Sequence, residues 1–154
     1  MNASRVFLLA LRFVQFVISA VILGVISYQV QQLLNASAAV PTGFIFTIVV
    51  SCCTIVSIIL TLVVPTPGLT LWYLCAWDIS LAVLFAVGFV WLILQISSFA
   101  CGWDAFNPFG KNSCGRIRAA MTFMLVEVVL WLTSALYRCV TFIRKGVSAG
   151  QDVK

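Results

Sequence analysis

Four apolar runs, each long enough to cross a bilayer, occupy most of this 154-residue chain. A spanning helix needs about 20 mostly apolar residues. It must also pair its own backbone N–H and C=O groups, because the hydrocarbon core offers no water. The runs are Val6 to Val30, Phe44 to Val64, Leu69 to Ile96 and Ile117 to Ile143. They predict an all-α membrane protein, a bundle of four transmembrane helices. Composition agrees: 63% of residues are hydrophobic and 8% charged, against about 25% charged in a soluble domain. Residues 1–145 are read as a single transmembrane domain, and 146–154 as a short, disordered cytosolic tail.

The connections read as loops. Asn35 to Gly43 is rich in helix breakers, Pro65-Thr-Pro67-Gly68 is a tight turn, and Ser97 to Gly115 is the longest polar stretch between spans. Ala36-Ser37-Ala38 has the look of a signal-peptide cleavage site. The run before it is longer than a signal h-region and carries Arg12, so it is read as a spanning helix. An even number of spans puts both termini on one side. Arg5, Arg12, Arg138, Arg144, Lys145 and Lys154 fall there, against Lys111, Arg116 and Arg118 opposite. The positive-inside rule then makes the terminal side cytosolic.

Several function classes are disfavoured. The chain contains no histidine, which removes the commonest general base and metal ligand. No metal site, cofactor or catalytic residue is expected. The net charge of +5 sits at the ends of apolar runs, as topology determinants do, so no nucleic-acid partner is expected. The reading is non-enzymatic.

Charge inside the spans is the sharpest clue, because it is costly in lipid. Arg12 in the first span, Asp78 in the third and Arg138 in the fourth fall in the same half of the bilayer. They form a candidate charge clamp that fixes helix register. Glu127 has no basic residue at its depth. Burial there favours the neutral acid, which could bond across helices, the polar stripe Thr47, Ser51, Thr54, Ser57 and Thr61 of the second span being one target. Small-residue pairs, Ala20 with Gly24 and Ala82 with Ala86, suggest close helix contacts. Among the cysteines, Cys101 and Cys114 bracket the outer loop, and a disulfide is favoured there over two free thiols. Cys75 and Cys139, near the cytosolic interface, are candidate palmitoylation sites set against plain packing.

Several stretches carry a family likeness. Leu11-Arg12-Phe13-Val14 is followed by Val17-Ile18-Ser19. Asp78 follows an aromatic-rich start and stands at a characteristic distance from Cys101. Cys114-Gly-Arg116-Ile-Arg118-Ala-Ala120-Met-Thr-Phe123 opens the last span. In these the chain, from about Arg5 to Ile143, resembles the fungal MARVEL-domain tetraspans of the non-classical export and eisosome-associated type. The resemblance implies cytosolic termini in the plasma membrane or the secretory pathway. It also implies a role in organising plasma-membrane microdomains or vesicle trafficking. The implied partners are membrane lipids, sphingolipid- or sterol-rich ones among them, other membrane proteins, and a second copy of the chain. No catalytic residue is carried over. The competing reading is a small proton- or cation-coupled transporter or channel using Glu127 and Asp78.

Overall fold

The computed structural model describes the backbone of residues 3–63, 71–96 and 113–151, and the side chains of 6–62, 72–95 and 115–143. It contains four helices: α1, Ala3–Asn35; α2, Thr42–Val63; α3, Leu71–Ile96; and α4, Ser113–Gln151. Each holds a stretch long and apolar enough to span a membrane, so the chain is a multi-pass integral membrane protein. The expected tail is helical as far as Gln151. No proline follows Lys145, and extending an existing helix costs far less than starting one.

Cross-helix contacts fix an up-down order. Between α1 and α4, Phe7 meets Tyr137, Ser19 meets Glu127 and Arg116 lies over the Tyr28 ring. Between α2 and α3, Gly43 meets Gln95, Phe46 stacks near Trp91 and Trp77 donates to Ser57. In both series one number rises as the other falls, so the paired helices are antiparallel. Each helix packs against its sequence neighbour and α4 closes on α1. The two diagonals, α1 with α3 and α2 with α4, make no close backbone approach. Both ends of the described chain therefore lie at one end of the bundle, called here the terminal end.

The turn between α1 and α2 shows why the chain reverses where it does. Ala38 N–H donates to the Leu33 carbonyl at 2.9 Å and Ser37 N–H to Leu34 at 3.0 Å. This is the Schellman pattern that closes a helix end, with Ser37 at φ 53° in the position usually held by glycine.

The interior divides in two along the membrane normal. The half away from the termini packs chiefly on Ile22, Ile26, Phe85, Leu92 and Met124, each 1% exposed or less, with Gln29, Thr47 and Arg118 also buried there. The other half carries the buried polar groups described below. Lipid-facing positions are bulky and apolar, such as Phe13, Ile59, Leu94 and Val129. Ala20 and Gly24 also face outward, and a Cβ on Gly24 would meet nothing within 4 Å. That pair makes no contact inside the bundle. Gly88 is the position where small size matters: a Cβ there would stand 2.9 Å from Met124 Cε and 3.4 Å from the Phe46 ring. Gly88→Leu is expected to force the apolar layer apart and cost about 1–3 kcal/mol, as overpacking does. Its thermal midpoint in detergent should drop clearly, whereas Gly24→Leu should leave it unchanged.

Candidate functional site

α1 supplies three buried polar residues on successive turns, Arg12, Gln15 and Ser19, at 3%, 0% and 0% exposure. Spacings of three and four residues keep them on one face, and that face looks into the bundle. α3 supplies Asp78, and α4 supplies Glu127, Trp131, Ser134 and Arg138 at the same helical spacing.

Asp78 is the hub. Arg12 Nη2 donates to both of its carboxylate oxygens, at 2.7 and 2.8 Å. Ser134 Oγ donates to Oδ2 at 2.8 Å, and Arg138 Nε stands 3.4 Å from the same oxygen. Arg12 thus crosses a diagonal of the bundle, from α1 to α3, and its guanidinium lies 4.4 Å from the centre of the Trp131 ring. Arg12 Nη1 also donates to Gln15 Oε1 at 3.1 Å. An unpaired charge at a helix centre costs about 2.5–3.5 kcal/mol on insertion scales. An ordinary interhelical hydrogen bond in a membrane averages only about 0.6 kcal/mol. The charge cluster therefore outweighs any single neutral contact here.

Glu127 sits apart from that hub. It accepts a hydrogen bond from Ser19 Oγ at 2.9 Å. Its partner thus lies on α1 and not on the polar stripe of α2, because α2 stands diagonally across from α4. The stripe does face inward, with Thr47, Ser51 and Thr54 at 0% exposure. Thr47 and Ser57 satisfy themselves on backbone carbonyls one turn back. Gln15 and Ser19 were not among the residues singled out from sequence. Their only signal was spacing, three and seven positions beyond Arg12.

Cys75 and Cys139 are joined in a disulfide between α3 and α4 at the terminal end. Each neighbours the hub: Cys75 is one turn before Asp78 and Cys139 follows Arg138. A lipid thioester on either sulfur requires this bond to be open. When it is open, the Cys75 thiol can donate to the Ala135 carbonyl at 3.6 Å. The Cys101–Cys114 pairing lies outside the described residues. Cys52 and Cys53 are free and face outward. Among the described residues no three His, Cys, Asp or Glu side chains gather as a metal site would require.

No family model matches the chain, and neither a curated protein nor a solved structure does.

Two measurements check this geometry. Asp78→Ala leaves Arg12 buried without its counter-ion and should cost about 3–5 kcal/mol of stability. Replacing Arg12 and Asp78 together by leucine should recover much of that loss, and a double-mutant cycle on thermal midpoints reads the coupling. In a Cys101→Ser/Cys114→Ser background, denatured protein should bind two maleimides, through Cys52 and Cys53, and four after reduction. Four without reduction would mean that the Cys75–Cys139 bond is open.

Proposed function

We infer that this protein is a non-enzymatic organiser of the membrane, acting through lateral contacts with lipids and with other membrane proteins. One observation carries the reading: the bundle turns its polar groups inward and presents bulky apolar side chains around its perimeter. Asp78, the acid best placed for chemistry, is held by Arg12, Ser134 and Arg138. Within the membrane, the surroundings meet chiefly hydrocarbon surface.

That surface is not smooth. A groove between α1 and α2 at the terminal end is lined by Leu9, Phe13, Phe16, Ile59 and Leu62, among others. A second apolar depression runs along α3 past Val83, Val87 and Leu94. Grooves of this kind take acyl chains or the side chains of a partner helix, and the outline and hydrophobic length of the bundle then select among lipids. Arg144 and Lys145 follow the last span and add attraction to anionic headgroups, about 1 kcal/mol per residue near the surface. Arg138 is turned toward Asp78 and does not join them. The MARVEL-like stretches point the same way, toward plasma-membrane microdomains or vesicle trafficking. A transport role draws less support. Of its two candidate acids, Asp78 is held by Arg12, Ser134 and Arg138, and Glu127 by Ser19.

Imaging of the tagged protein in living cells tests the reading. Stable plasma-membrane patches that disperse when sphingolipid synthesis is blocked are the expected result. An even distribution that ignores the block would count against it.

A further inference from the structure

The interior next to Glu127 holds polar atoms that no protein group fully satisfies. Gln15 Nε2, Glu127 Oε2, Trp131 Nε1, Ser51 Oγ, Thr54 Oγ1 and Arg12 Nε are all buried, and none makes a well-formed hydrogen bond in the protein, the Trp131 indole lying beside the Glu127 carboxyl. They belong to one region. Gln15, Ser19 and Arg12 share a face of α1, and Glu127 and Trp131 are adjacent turns of α4, tied to that face by the Ser19–Glu127 bond and by the Arg12–Trp131 stack. The groove that brings Phe13 and Phe16 beside Ile58 and Ile59 sets the register of α1 against α2. Carried on by antiparallel progression, it puts Thr54 level with Ser19 and Ser51 about a turn further on, level with Ile22.

Each such group left bare in a low-dielectric interior is destabilising, and six in one region call for a common partner. Their chemistry identifies what satisfies them. Three are N–H donors only, one is a carboxyl oxygen and two are hydroxyls that both donate and accept. A metal cation would be repelled by the N–H groups and by the nearby Arg12 guanidinium. An anion would meet the Glu127 carboxyl. Water, which donates and accepts equally, fits both kinds. A buried water makes about three hydrogen bonds, so about two waters account for six atoms.

We propose that Gln15, Glu127 and Trp131, with Ser51 and Thr54 across from them, form a binding site for ordered water at the middle of the membrane. The bound water joins the two halves of a hydrogen-bonded chain. One half runs from Ser134 and Asp78 through Arg12 to Gln15 Oε1, and the other from Ser19 to Glu127. Gln15 Nε2 and Glu127 Oε2 face the break as spare donor and spare oxygen. The charged groups around the site are Arg12 on α1, Asp78 on α3 and Arg138 on α4, and α2 contributes none. With water bound, the Glu127 carboxyl is hydrated inside an otherwise closed interior. Away from the terminal end Ile22, Ile26 and Met124 close the interior. The proposal does not rest on the organiser reading.

Glu127 is the single glutamate of the chain, so labelled glutamate marks its carboxyl carbon without any mutation. Solid-state NMR of the full chain in lipid bilayers, with magnetisation transferred from water, then reads hydration directly. The Glu127 carboxyl carbon should receive water magnetisation several-fold faster than Ile22 and Leu92 in the apolar layer. A rate equal to theirs would show a dry interior and overturn the proposal. Gln15→Leu should slow the transfer to the rate of the apolar layer in protein that keeps its helical content. Unchanged fast transfer in that variant would remove Gln15 from the site. The comparison within the unmodified chain stands even if the variant fails to fold.

Discussion

A single carboxylate, shared by three helices, sets the terms for the rest of this bundle. Asp78 lies on α3, yet its ligands come from α1 and α4. Arg12 reaches it across a diagonal that the helix backbones leave open. This contact cannot be made if either helix turns by even a quarter rotation. The same rotation that aims Arg12 at Asp78 also aims Gln15 and Ser19 inward, three and seven residues on. The polar seam follows from the clamp through helical geometry alone. In a soluble protein the hydrophobic effect would orient each helix. In lipid that force is weak between helices, and the buried charge takes its place.

The two halves of the interior then divide the work. Near the terminal end, charge and hydrogen bonds specify which faces meet. In the other half, Met124 and Phe46 close over Gly88, where an added side chain would press on both. Shape gives close packing without direction, and the clamp gives direction. At the outer rim, Gln95 bridges Gly43 N–H and the Thr42 hydroxyl, and Arg116 lies over Tyr28. These tie the ends of helices whose centres are already placed.

Much of this was legible in the sequence because a bilayer imposes length. Four runs of the right length predicted α1 to α4, and the structure differs mainly where polar residues carry a helix beyond the hydrocarbon, as at Gln31 to Asn35 and after Ile143. The matching depths of Arg12, Asp78 and Arg138 could be counted from the span ends. Rotation about each helix axis could not, since nearly every face of these helices is apolar. Sequence alone therefore leaves α1 and α2 equally open as the source of a partner for Glu127, and does not say which way the Ala20–Gly24 pair or Gln15 and Ser19 face. The sulfur pairing of Cys75 and Cys139 was equally hidden, for it depends on how α3 and α4 face each other across 64 residues of sequence.

The clamp also imposes an order in time. Arg12 and Asp78 are 66 residues apart, so at about 5–20 residues per second of synthesis the arginine waits roughly 3–13 s before its counter-ion is made. Ser134 follows Asp78 after a further 56 residues. During the first interval a lone charge sits in a nascent hairpin, and during the second an ion pair waits for its remaining partners. A chain cut short before α4 leaves Asp78 with Arg12 but without Ser134 and Arg138. The hub thus records whether the last helix has arrived.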